Sequence, residues 1–311
     1  MNFKTDSPAD VSSTDVSLVC GGRSCRFQQA LGLVRPGHWN LGRRIAVLIV
    51  IGWVPLFLIT ALLNPDGLVS LMREYRLYAR MLIAVPVLLG GEVLMEARFR
   101  AVIAHIQRAG LLEASTQAHL EGVIARLVRA RDSVLPEFAV LRSIDRAHCE
   151  FLQRFSGHDS VALTFVRAEL YLTAAGWYAV IVSTSIFQFL LGVGIWKWLL
   201  WTFFAFKLSR CDLKLLPTHP DRHGGLGFLG LTSAAFAPIA FSATAVIAAT
   251  WRQDILYHGA HLMNFKWPAI VLVALIALVA LGPLAFSVPR LAGLRRQGIL
   301  EYGILGQLHS A

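Results

Sequence analysis

Uninterrupted apolar runs constrain this chain more than any other feature. The run from residue 45 to residue 63, IAVLIVIGWVPLFLITALL, holds nineteen residues without a charge. As a helix it would be about 29 Å long, the thickness of a bilayer's hydrocarbon core. A backbone at that depth has no water to bond, so it must satisfy its own N–H and C=O groups. The sequence predicts an all-α polytopic transmembrane helix bundle with six spans: 44–63, 79–97, 168–189, 194–211, 226–250 and 267–289. Of the 311 residues, 56% are hydrophobic and only 15% charged. Soluble domains carry about 25% charged residues.

The net charge of +10 belongs to this membrane reading. Lysine and arginine collect on the cytoplasmic side and face anionic lipid. No zinc knuckle, RNA-binding signature or basic-zipper pattern points to nucleic acid. Cys20, Cys25, Cys149 and Cys211 show no C-x-x-C spacing, and all fall in segments assigned to the cytoplasm. No cofactor is expected.

The arginines also organise the chain. Residues 1–43 read as a cytoplasmic tail, residues 44–97 as spans one and two, and 98–165 as a cytoplasmic amphipathic helical region. Within that region Leu120, Val123, Ile124 and Leu127 fall at helical spacing, with breaks near Ser115 and Pro136. Residues 166–289 then hold spans three to six, with a cytoplasmic junction at 207–225, and 290–311 form a cytoplasmic tail. Six spans put every arginine-rich segment on one side, with both termini cytoplasmic. Spans three and four read as a hairpin turning at Gly192 and Gly194. Trp196, Trp198, Trp201 and Lys197 sit beside the turn as an interfacial belt.

Four features could carry chemistry. The densest polar junction is 218–230, THPDRHGGLGFLG. Its G-x-G-x-x-G lies between membrane helices and not in a βαβ unit, which excludes a dinucleotide site. Its His-Pro-Asp tripeptide lacks the soluble domain that presents it in J-domain cochaperones. Gly224 and Gly225 let N–H groups converge where the next helix starts, and His219, Arg222 and His223 add donors for an anion. Asp221 is suited to capping that helix or orienting a histidine. The alternative for this segment is a tight re-entry into the bilayer that binds nothing.

Glu92 is the second feature, a carboxylate at the edge of the second span. It either faces a partner or cavity at membrane depth or lies among the headgroups beside Arg98 and Arg100. Asp254, His258 and His261 are the third, spaced i, i+4, i+7 as one face of a helix that could hold a divalent metal. Exposed polar residues are the plainer explanation of that spacing. The fourth is the small-residue face of Ala240, Thr244 and Ala248 in span five, suited to close helix packing and to a homo-oligomer.

The HPDRHGGLGFL segment resembles one found in bacterial inner-membrane proteins. The resemblance implies a multi-pass inner-membrane location and carries no activity. The expected function is therefore transport, or a channel component, with the junction binding or gating an ion or anionic solute among membrane lipids. Spans interrupted at Pro55, Pro86 with Gly90-Gly91, and Gly282-Pro283 suit helices that line a cavity. Two alternatives stand beside it. One is a membrane enzyme acting on a lipid or phosphate-bearing substrate, with His219, Asp221 and His223 in acid–base or metal roles. The other is a non-catalytic scaffold or sensor.

Overall fold

The structure, a computed structural model, describes residues 40–63, 65, 67–108, 114–133, 142–144, 146, 174–211, 227–286, 288 and 293. Among the described residues there are helices and no strands. Helix α1 is Leu41–Leu63 and α2 is the short Gly67–Met72. Helix α3 covers residues 75–108, with a π-helical segment at Ala79–Ala84 inside it. Helix α4 is Ala114–Arg131. Helix α5 is Ala174–Ser209, with a second π-helical segment at Ala179–Thr184. Helix α6 is Gly227–Ala234, α7 is Ala237–His258, and α8 is Lys266–Ala285.

Among the described residues, five stretches are long and apolar enough to cross a membrane: Leu41–Leu63, Tyr75–Ile106, Ala174–Ser209, Thr232–Tyr257 and Leu262–Ala285. This is a membrane protein with a helical bundle. The hairpin expected between spans three and four is absent, because from Ala174 to Ser209 they are one helix. Gly192 and Gly194 lie in its interior, and no turn forms there. The physical reason lies in what the glycines meet. A Cβ at Gly194 would come within 3.2 Å of Ile239 on α7, and one at Gly91 within 2.7 Å of the Pro238 ring. The glycines of α3 and α5 are notches into which two consecutive residues at the start of α7 fit.

Contacts along the helices set their directions. Helix α3 runs antiparallel to α1, with Glu92 beside Arg44 and Met81 beside Gly52. It is also antiparallel to α7, with Tyr75 beside Gln253 and Gly91 beside Pro238. Helices α3 and α5 are parallel neighbours: Arg80 meets Thr184, Glu92 meets Lys197, and Phe99 packs on Trp201 and Phe204. Helix α8 runs parallel to α5, with the Trp198 indole donating to the Val279 carbonyl at 2.9 Å and Phe206 against Phe286. The start of α1 and the ends of α3, α5 and α8 therefore share one end of the bundle, here the Arg44 end. The opposite end is the Tyr75 end. The chain leaves α3 at the Arg44 end and enters α5 at the Tyr75 end.

The core runs along the α3–α5 seam through Met81, Val85, Leu89, Val102, Phe204 and Leu208. Leu120, Val123 and Leu127 of α4 join the same core, as their helical spacing predicts. Residues 98–108, read as the start of a separate region, continue α3 without interruption. The tryptophans read as a belt are partly core. Trp201 is fully buried and edge-on to Phe99. Helix α8 is apolar and exposed at Val271, Val273, Leu278 and Leu281, the surface of a helix that faces lipid.

The π segments have local causes. Pro86 cannot donate to the carbonyl four residues back, and the π register falls directly before it. In α5 the Thr184 hydroxyl donates to the Ala179 carbonyl five residues back, matching the wider turn. Helix α1 passes through Pro55 and α8 through Pro283. Span five does break: Ala235 and Phe236 form a turn, and Pro238 opens α7.

Candidate functional site: three polar layers inside the bundle

The first layer is a charge cluster near the Arg44 end. Glu92 Oε2 accepts from Arg44 Nη2 at 2.8 Å, and its Oε1 accepts from Lys197 Nζ at 2.7 Å. Only 3, 12 and 11% of the Arg44, Glu92 and Lys197 side chains are exposed. The three groups come from α1, α3 and α5, so one carboxylate ties three spanning helices together. Removing an ion from water costs several kcal/mol, which close, hydrogen-bonded opposite charges offset. The partners of Glu92 are thus Arg44 and Lys197, and not the nearby Arg98 and Arg100. Arg100 bonds instead to Glu96, one turn before it, at 2.6 Å.

The second layer lies level with Gly52, the midpoint of α1, about 12 Å from Arg44 along that helix. Here Arg80 Nη1 donates to Thr184 Oγ1 at 2.6 Å, and its guanidinium sits 6.0 Å from the Phe187 ring centre. Ser183 Oγ donates to the Gly52 carbonyl at 2.8 Å, and Ser242 Oγ to the Ala84 carbonyl at 3.3 Å. Both π segments fall in this layer and carry Arg80, Ser183 and Thr184. A π segment turns side chains off the regular helical faces and is common where helices carry function.

The third layer caps the Tyr75 end. Glu74 accepts from Arg76 at 2.6 Å and from the Gln253 amide at 2.9 Å, and Gln253 accepts from the Tyr75 N–H at 3.0 Å. The Arg252 guanidinium lies 3.9 Å from the centre of the Tyr75 ring, which stacks near Tyr257. This layer joins α7 to the start of α3.

His219, Asp221, Arg222, His223, Gly224 and Gly225 lie outside the described residues. The spacing that grouped Asp254 with the two histidines does not continue as a helix. Helix α7 ends at His258, Gly259 takes a left-handed conformation, and His261 is extended and exposed. The His258 side chain lies outside the described residues. No group of three metal-ligating side chains occurs among those that are described.

The site residues that reading the sequence missed are Arg44, Arg80 and Lys197. A signal existed for Lys197 and Arg80. Each is a single cation inside or against a long apolar run, where charges usually face a partner. Lys197 was masked by the tryptophans on either side of it. Arg44 was masked by Arg43 beside it at the start of the first run. Compared with known proteins, the chain matches no family model, and no curated protein or solved structure is detectably similar to it.

Proposed function

We propose that this membrane protein moves an ion or an anionic solute, and that Glu92 is the group whose ion pairs are exchanged as it does so. The observation that carries the reading is the buried Arg44–Glu92–Lys197 cluster spread over three spanning helices. A carboxylate clamped between a guanidinium and an ammonium occupies the place an anionic solute would take. An incoming anion competes with Glu92 for the same donors, and a proton arriving at Glu92 weakens both pairs. Either event loosens α1 and α5 from α3 together. The cluster is therefore a two-state element with a defined trigger. The Arg80–Thr184 contact, deeper in the bundle and flanked by π segments, supplies the next polar station.

In this reading the Arg44 end faces the cytoplasm of a bacterial inner membrane, following the concentration of arginine and lysine there. Arg222, His219 and His223, in the segment joining α5 to α6, make the first contact with the solute. The small face of Ala240, Thr244 and Ala248 pairs copies of the chain.

The test is current on a solid-supported membrane carrying proteoliposomes, with pulses of chloride, phosphate and succinate. The wild-type protein gives a current with at least one anion. Glu92→Gln abolishes it, whereas Asp132→Asn, in an exposed pair with Arg131, leaves it intact. Silence of the wild type with all three, or equal currents from wild type and Glu92→Gln, overturns the proposal.

A further inference from the structure

An apolar cleft of about 240 Å³ opens at the Tyr75 end between α1, α2 and the first turns of α5. Leu56, Ile59 and Leu63 form one wall, and Ala174, Ala175 and Gly176 the other. Among the described lining residues the hydroxyl is Thr60 Oγ1, whose proton goes back to the Leu56 carbonyl at 2.8 Å and not into the space. Small residues on α5 facing branched residues on α1 leave a furrow, because the alanines and glycine reach too little to fill it.

The position of the cleft decides what can occupy it. On α1 the lining runs from Leu56 to Leu63, about 6 to 16 Å beyond Gly52, so the cleft covers roughly the outer 9 Å of the hydrocarbon thickness on that side. On two of the helices that form it, α1 and α2, Leu62, Leu63, Val69 and Met72 are all more than half exposed. A polar solute has no reason to enter. Two residues beyond Leu71, which lines the cleft, stands Arg73, which is exposed. Arg76 beside it is engaged by Glu74.

We infer that this cleft is a binding site for one phospholipid with an anionic headgroup, its acyl chain between α1 and α5 and its phosphate on Arg73. The inference is independent of transport, since it uses none of the three polar layers. One arginine near the membrane surface favours an anionic over a zwitterionic headgroup by about fivefold.

The experiment is native mass spectrometry of the full chain, reconstituted in nanodiscs of equal phosphatidylglycerol and phosphatidylcholine and then released by activation. The wild type retains one lipid per chain, phosphatidylglycerol over phosphatidylcholine by about fivefold. Ala174→Leu, at an exposed edge of the furrow, releases it. Arg73→Gln retains a lipid without preference. Three results overturn the site: no retained lipid, equal retention of both lipids by the wild type, or retention unchanged in Ala174→Leu. If Ala174→Leu does not fold, the headgroup ratios of wild type and Arg73→Gln decide alone. A cleft filled by another part of the chain would retain no lipid.

Discussion

Helices α3 and α5 are built to one plan and were legible to very different degrees. Each enters at the Tyr75 end, passes through six π-helical residues and continues as a long α-helix to the Arg44 end. Each begins its π segment after a Tyr-Ala junction, at 78–79 and 178–179, and carries a Leu-Leu-Gly step farther on, at 88–90 and 190–192. They differ in what they contribute. Helix α3 brings the carboxylates and packs tightly on α7. Helix α5 brings Lys197 and the large aromatics, and its first turns border an open cleft. Just after that step, Gly91 and Gly194 read as a loosened helix in one run and as a turn in the other, although both are helical notches for α7. What a glycine does inside an apolar run is decided by the helix that packs against it.

The largest effect should come from breaking the charge that joins the two helices. Lys197→Met leaves Glu92 short of a partner at membrane depth and should lower stability by about 3 kcal/mol, read from unfolding in mixed micelles. Adding Glu92→Gln to it should cost less than the two single losses combined. Additive losses would mean that the pair is not coupled. Next come the notches. Gly91→Ala drives a methyl group to 2.7 Å from the rigid Pro238 ring and should cost about 2 kcal/mol. Gly194→Ala meets the end of Ile239 at 3.2 Å, which can rotate away, and should cost about 1 kcal/mol. Equal effects at both glycines would remove the contrast between the two notches.

A smaller loss, about 1 kcal/mol, is expected for Thr184→Val, which deletes an acceptor of Arg80. Hydrogen exchange should rise in both π segments, because the bond ties them together. The smallest is Gly52→Ala. Its Cβ would stand 2.6 Å from the Met81 sulfur, the flexible part of that side chain, so the cost should stay below roughly 1 kcal/mol.

Much of the fold was legible because hydropathy and length act locally. The runs that became α1, α7 and α8 stand out by composition, and Leu120, Val123 and Leu127 announce the buried face of α4. The site was less legible because it depends on registers between distant segments. Glu92 stands out by its depth alone. Its partners lie 48 residues before it and 105 after it, and no local pattern names them. The arginine-rich helix ends do gather at one end of the bundle, as six spans also implied. They do so through a different route, two parallel neighbours in place of a hairpin.

Everything placed around Glu92 depends on α5 being one helix that carries Lys197 alongside α3. Nitroxide labels on Trp177→Cys and Lys207→Cys, in a chain cleared of its native cysteines, measure this directly by pulsed dipolar spectroscopy. Thirty residues of continuous helix place the two positions about 45 Å apart. A hairpin turning at Gly192 and Gly194 would bring them to about 10 Å, the spacing of packed helices, and would contradict the Glu92–Lys197 pairing.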